Sequence, residues 1–259
     1  MPVRKPIPMN RLKIVGENKK IAADASYQSP SGKTVRLSAD GNALAARTKL
    51  LEPTLPAAES ARTEPFRYTD HLRKTDTVSC VLALREAGET GEILALNFAN
   101  AHIAGGGYLL GGDAQEESLC RCSLLYASIA SQNGFYRWHH LHPTPLYSDK
   151  MIYSPDVPVI RSADGVLLET PQICSFLTSP AVNRRLARPW ISNEKINAAM
   201  QQRTAKIIAA AAEIKPAVLV LGAYGCGVFG NRREDVLPMF EDAIMKYLPP
   251  EVAVVFAIP

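Results

Sequence analysis

The chain is short of the features that would assign it quickly. Its 259 residues include five cysteines: Cys80, Cys120, Cys122, Cys174 and Cys226. The odd number and the spacing suit neither a disulfide framework nor a zinc site, which leaves reduced, mostly buried thiols. No run of 18 apolar residues is present, so no membrane-spanning helix and no membrane contact are expected. No charged-then-apolar leader opens the chain, and a cytoplasmic monomer is the resulting expectation. No internal repeat is visible. A large charge of either sign is missing too, the net charge being +4. The imbalance is local: residues 1–75 hold 14 Lys and Arg against 7 Asp and Glu, and residues 76–259 hold 15 against 18. The basic part could attract a polyanion, nucleic acid included, although scattered Lys and Arg usually just face water.

What is present is an ordinary soluble composition, 47% hydrophobic and 21% charged, in a chain long enough to bury a large core. Residues 1–10 carry three prolines and are expected to lie loose. Residues 11–25 read as a helix, 29–33 as a turn, 42–51 as a second helix and 52–66, with prolines at 53, 56 and 65, as a connector. Residues 1–75 are therefore read as a helical extension packed on a core domain of residues 76–259. In that core, 78–85, 93–98, 151–153, 172–177, 217–221 and 252–258 read as strands, and 114–132, 195–214 and 233–247 as helices. Strands alternating with helices predict an α/β fold with a largely parallel sheet.

Two segments of the core share one design. Ile93–Phe98 runs into a loop containing Gly105, Gly106 and Gly107. Ala217–Leu221 runs into Gly222-Ala223-Tyr224-Gly225-Cys226-Gly227-Val228-Phe229-Gly230-Asn231. Each is a buried strand, a glycine-rich loop and then a helix. Ligands of open α/β sheets sit at the carboxyl ends of such strands. Glycine lets amides approach an anion, and helix N-termini favour phosphate. Neither loop ends in the Gly-Lys-Ser/Thr of a nucleoside triphosphatase, and neither has the spacing of a dinucleotide fingerprint. A nucleotide diphosphate is the ligand that remains. Seven residues after Gly107 come Gln115, Glu116 and Glu117, in the first turn of a helix. Acidic residues there compensate the helix dipole, but this pair adjoins the inferred phosphate site. Neighbouring helix residues point about 100° apart, so the two cannot act as the opposed carboxylates of most glycosidases. Separate tasks fit better: one carboxyl handling a proton, the other holding hydroxyls.

These residues resemble a known family. Gly105-Gly106-Gly107 followed after seven residues by Gln115-Glu116-Glu117 resembles the signature of poly(ADP-ribose) glycohydrolases. Asn97-Phe98-Ala99-Asn100 resembles the ribose-binding segment of macrodomains, and residues 222–231 resemble their second phosphate loop. The order and spacing are similar to those of the microbial-type enzymes, with weaker similarity through Tyr27–Thr34 and Ala46-Arg47-Thr48. The resemblance implies a macrodomain-like three-layer α/β/α sandwich. It implies cleavage of the ribose–ribose O-glycosidic bond of poly(ADP-ribose) from the free end, releasing ADP-ribose without metal or cofactor. It implies Glu117 as acid/base, Glu116 on hydroxyls near the bond, Asn100 on the terminal ribose and Gln115 among the substrate-binding residues. It further implies that Gly105–Gly107 and Gly225, Cys226, Gly227 and Val228 cradle the pyrophosphate, with Phe229 on the terminal ribose. Where many relatives have Pro before the glycine triplet, this chain has Ala104, which leaves the loop less restrained. Asp113 brings a negative charge towards a site for an anion.

Other features carry less. His139, His140 and His142 cluster without Cys or carboxylate partners, a poor zinc set. Trp138 and Trp190 could stack adenine, but packing roles are expected. Ser179–Asn183 follows a strand and is expected to line the cleft. Two rival readings stay open. One is a hydrolase of mono-ADP-ribose on protein or nucleic acid; the other is a non-catalytic ADP-ribose reader, which would have no use for the glutamates.

Overall fold

The computed structural model describes residues 10–56 and 62–259. The expectation of a loose N-terminus and part of the 52–66 connector therefore lie outside the described residues. A seven-stranded sheet organises the chain, in the order β3-β6-β7-β5-β8-β9-β4. The strands are β3 (Lys49–Leu51), β4 (Leu72–Arg73), β5 (Ile93–Phe98), β6 (Met151–Arg161), β7 (Leu167–Ser179), β8 (Val218–Leu221) and β9 (Ala253–Ala257). The pairings from β7 through β5, β8 and β9 to β4 are parallel, whereas β3 and β6 join antiparallel. The sheet is thus mixed and largely parallel. A separate hairpin, β1 (Ser26–Gln28) with β2 (Thr34–Arg36), turns at residues 29–33 as expected.

Alternation along the central strands explains the layers. Ile93, Ala95, Val218, Val220 and Val255 face one core, shared with Val78 and Val81 of α3 (Thr77–Glu86), Leu119 of α4 (Gln115–Cys122) and Leu125 of α5 (Leu125–Ile129). Leu94, Leu96, Leu219, Leu221 and Phe256 face the other, shared with Ile196, Ile207 and Ile208 of α8 (Asn193–Ile214) and Phe240 and Ile244 of α9 (Arg233–Tyr247). A strand covered on both faces reads as a continuous apolar run, which is why ILALNF and AVLVL stand out in the sequence. The first layer is extended by α1 (Arg11–Asp24) and α2 (Gly41–Arg47).

Several elements differ from the sequence reading. Residues 78–85 form the helix α3 and not a strand. The Asp76 side chain accepts from Ser79 N at 2.9 Å and so caps its start, and Thr77, Val78, Val81 and Leu84 share its buried face. The helix expected over 42–51 stops at Arg47, and Lys49–Leu51 pairs with β6 as an edge strand. The helix expected over 114–132 breaks at Ser123, whose extended backbone bridges to Val159. Its hydroxyl donates to Leu119 O at 2.7 Å and ends α4. A further helix, α6 (Asn133–Leu141), absent from the sequence reading, carries His139 and His140. Strands β6 and β7 run much longer than the short apolar cores that marked them.

The edges of the sheet also cross the division at residue 75. Both outer strands, β3 and β4, come from the part read as a helical extension.

Candidate active site

Strands β5, β7 and β8 are adjacent and parallel, so their carboxyl ends open on one side of the sheet. The loop after β5 carries the glycine triplet, that after β7 carries residues 180–183, and that after β8 is the second glycine-rich loop. Between them lies a cavity of about 450 Å³ lined by Phe98, Asn100, Gln115, Glu116, Glu117, Ala181, Gly225, Cys226, Gly227, Val228, Phe229 and Arg233. A second cavity of about 500 Å³ shares Phe98, Gln115 and Ala223 with it and extends to Asp76, Thr77 and Val78 at the start of α3.

The second loop is built to offer amides. Gly225 has φ +71°, and a Cβ there would lie 2.5 Å from that of Ala181, so no side chain fits. Asn231 closes the loop: its N–H donates to Gly225 O at 3.1 Å, and its Nδ2 to Val182 O at 2.8 Å. The amides of Cys226 and Gly230 are consumed within the loop, by Ala223 O and Gly227 O. Those of Gly225, Gly227, Val228 and Phe229 donate to no group among the described residues. Four undonated N–H groups on residues lining one cavity are a feature suited to binding an anion. Arg233 adds a cation at the wall. A cation in the first turn of a helix opposes the dipole, which is the sequence signal by which Arg233 could have been found. Arg203 of α8, buried, donates from one guanidinium nitrogen to Pro180 O and from Nε to Asp149 Oδ1, holding the loop that brings Ala181 to the wall.

The glycine triplet does something else. Gly106 N donates to Ile103 O at 3.0 Å, and Gly107 N to Glu117 Oε1 at 2.8 Å. Two of the triplet's amides are thus donated within the protein, one of them to Glu117. A side chain at Gly106, which has φ +54°, would meet Glu117 Oε1 at 2.6 Å and Glu116 Oε2 at 3.2 Å. Glycine here makes room for both carboxyl groups at once.

The glutamates differ in environment. Glu116 is 2% exposed. Its Oε2 accepts from Asn100 N at 2.8 Å and its Oε1 from Asn97 Nδ2 at 3.2 Å. Burial pushes its carboxyl up to about 8, against the pull of those donors and with a further push from Glu117. Glu117 is only partly buried, and its Oε2 has no protein partner. Gln115 ties the base of the site together: its Oε1 accepts from Phe98 N at 2.9 Å, and its Nε2 donates to Leu96 O at 2.9 Å and Thr77 Oγ1 at 3.2 Å. Asn100 Oδ1 accepts from His102 N and Ile103 N, which shapes the loop, and its Nδ2 has no partner among the described residues. Asp113 does not oppose an anion unscreened, because Arg11 and Arg121 pair with it.

Remaining candidates settle elsewhere. Burial holds the Cys226 thiol up at about 11, so it is no thiolate near neutral pH. Burial holds His139 down at about 4, with its ring bound between Phe135 O and Ser148 Oγ. Among the described residues no three His, Cys, Asp or Glu side chains are placed to hold a metal. Trp138 stacks on His142 at 4.3 Å. Trp190 is 87% exposed and does not pack, contrary to expectation.

An open α/β sheet with undonated amides at its carboxyl edge, beside a carboxyl pair, defines the class of α/β proteins with a ligand cleft at the ends of the parallel strands. Comparison narrows this class. Residues 16–162 match the family model described as the catalytic domain of microbial-type PARG. The poly(ADP-ribose) glycohydrolase of Thermomonospora curvata is similar at 37% identity and a TM-score of 0.84, over 95% of this chain and 92% of that one. A structure of the same organism's protein bound to the inhibitor ADP-HPD is similar at 35% identity and a TM-score of 0.82, over 96% and 92%. The protein of Deinococcus radiodurans in complex with ADP-ribose is similar at 30% identity and a TM-score of 0.72, over 86% and 91%. The chain belongs to the microbial-type poly(ADP-ribose) glycohydrolase family and shares its macrodomain-like fold. A comparison with the curated proteins finds no match.

Proposed function

We propose that this protein hydrolyses the ribose–ribose O-glycosidic bond of poly(ADP-ribose) from the free end, with Glu117 as acid and base. The observation that carries the reading is the juxtaposition of four undonated amides, at Gly225, Gly227, Val228 and Phe229, with Glu117, which lines the same cavity and whose buried Oε2 has no protein partner. The amides and Arg233 take the diphosphate of the terminal unit. Its distal ribose lies between Phe229 and the glutamates, with Asn100 Nδ2 donating to a hydroxyl. The adenosine extends into the adjoining cavity beside Thr77.

Chemistry then follows from the difference between the carboxyls. Glu117, steadied by Gly107 N on one oxygen, passes a proton from the other to the bridging oxygen. The C–O bond breaks towards an oxocarbenium-like sugar, and the previous unit leaves with a free hydroxyl. Water attacks the same carbon and gives its proton to the Glu117 carboxylate, restoring the enzyme. Glu116 is kept neutral by burial and adds no second charge beside the diphosphate. It holds the hydroxyls next to the reacting carbon. The glycine triplet serves as the mould for the carboxyl pair and leaves the pyrophosphate to the second loop. No resident metal or cofactor enters these steps.

Glu117→Gln should bind ADP-ribose within about twofold of the parent and lose polymer hydrolysis by at least about a hundredfold, the usual size of a lost proton donor. Mass detection of released ADP-ribose, with polymer, modified protein and modified DNA as parallel substrates, checks both mechanism and substrate class. Undiminished release by the variant removes Glu117 from the mechanism. Release only from mono-modified protein or DNA reassigns the substrate.

A further inference from the structure

Beside the second loop, and outside the cavity, residues 184–190 (Arg-Arg-Leu-Ala-Arg-Pro-Trp) form the short helix α7 (Arg184–Ala187) and the turn after it. This segment is anchored by a few inward contacts. Ala187 is fully buried, Arg184 donates to Asn197 Oδ1 at 2.8 Å, and the Asn183 side chain caps the first turn. Trp190 N donates to Ala187 O at 2.9 Å, which fixes the turn. Everything else points out: Arg185, Arg188 and Trp190 are exposed, and the indole is 87% accessible. Neither Arg185 nor Arg188 has an ion-pair partner among the described residues, and no acidic residue lies in the segment. The segment is docked on the catalytic cleft. Arg185 N donates to Phe229 O at 3.1 Å, and the Arg185 stem packs on Gly230.

The position of Phe229 says which end of the cleft this is. Its ring lies 5.9 Å from that of Tyr147, which lies 5.6 Å from His102 in the first loop. The second loop therefore meets the first at the Phe229 end, on the side of Asn100 and the glutamates. That is where a polymer leaves the cleft, because the rest of the chain is attached at the carbon beside Glu117.

We propose that residues 184–190 are a landing platform for the poly(ADP-ribose) chain beyond the terminal unit, Arg185 and Arg188 meeting diphosphate and Trp190 stacking an adenine. The proposal rests on the reading of the cleft given above. An exposed indole next to unpaired arginines is the pattern by which single strands of alternating phosphate and base are held. An acidic protein partner would satisfy the arginines but would leave the indole in water.

The test uses the full chain with Glu117→Gln, so that polymer survives, and measures affinity for free ADP-ribose and for long poly(ADP-ribose). Adding Trp190→Ala should weaken polymer binding by about tenfold, the loss expected for one base stack, with ADP-ribose affinity as the internal reference. Adding Arg188→Gln should reduce the slope of log affinity against log salt for polymer by about 1. Polymer affinity that stays put, or that falls in step with ADP-ribose affinity, overturns the platform. Loss confined to a single-stranded RNA probe reassigns the surface to nucleic acid and overturns it also. A Glu117→Gln parent that binds neither ligand refutes the cleft itself, a result distinct from a parent that binds ADP-ribose but gains nothing from a longer chain.

Discussion

Glu116 sits in a dry slot between Asn100 N and Asn97 Nδ2, and burial raises its carboxyl to about 8. The consequence for stability has a definite sign. The native state keeps a proton that the unfolded chain loses near the ordinary glutamate value, about 4.3. The native advantage is therefore complete below that value. It falls by about 1.4 kcal/mol per pH unit as pH rises, until the native carboxyl ionises near 8. Glu116→Gln removes the titration and keeps the shape. Denaturant unfolding of both proteins from about pH 5 to about pH 8 should show the variant gaining about 4 kcal/mol on the parent. Parallel stability curves would mean that Glu116 is already ionised in the folded protein. At this scale the sequence shows the identity of the pair but not the division between them. Which of two adjacent glutamates is buried depends on Asn97 and Asn100, from another element. The exposure of Trp190 was hidden because it is set by the fold around it, whereas Arg233 carried a signal, a cation in the first turn of a helix.

Helix α4, which carries both glutamates, has eight residues, too short to stand alone, so neighbours must hold it. Its terminal carbonyls at Cys120 and Arg121 accept from Asn18 Nδ2 of α1 at 3.2 and 2.8 Å. Arg161 of β6 in turn donates to Asn18 Oδ1 at 3.1 Å and to Glu17 at 2.6 Å. One buried amide thus links α1, α4 and the sheet. Asn18→Ala would strand those carbonyls and the Nε of Arg161, at a cost of about 1–3 kcal/mol. Urea unfolding would read this as a lower midpoint, and a midpoint equal to the parent's would show that water replaces Asn18 without loss. The misread elements have a common cause. Residues 78–85 are a run of eight in which apolar content suits strand or helix, and the deciding signal is the Asp76 cap with apolar residues at helical spacing. Helix α4 was extended through Ser123 because apolar spacing continues past it, while a hydroxyl turned back on Leu119 O ends it. In α6, Gly134 and the polar pair His139 and His140 masked the buried face of Phe135 and Tyr136, to which His139 itself belongs. Long elements with both ends marked, such as α8 and α9, were read almost to the residue.

For the molecule as a whole, the central strands were legible because they are buried on both faces, and the edge strands were not because they are two or three residues long. Those short edges decide how far residues 1–75 are a separable extension. Strand β3 covers the outer side of β6, and β4 covers β9, with Leu72 opposite Phe256. Phe66 is buried among Leu94, Leu221, Phe240 and Phe256 of the second core. Helix α1 places Val15 and Ile21 in the first core and holds α4 through Asn18. A chain starting at residue 76 would keep every glycine and both glutamates yet expose two unpaired strand edges, one of them on the 11-residue β6. Uncovered edges of that kind pair with other copies. The N-terminal part also fills both cores, where each buried large apolar side chain contributes about 1.5–3 kcal/mol, so its loss exceeds the usual net stability of a domain, about 5–15 kcal/mol. The fragment 76–259 should therefore elute as aggregate in size-exclusion chromatography, lack the near-ultraviolet dichroism of the whole chain and bind no ADP-ribose. Adding residues 10–75 as a separate peptide should restore binding if the two parts recognise each other through β3, β4 and α1. A fragment that is monomeric, folded and competent to bind ADP-ribose would show that the sheet and α4 stand without their N-terminal cover.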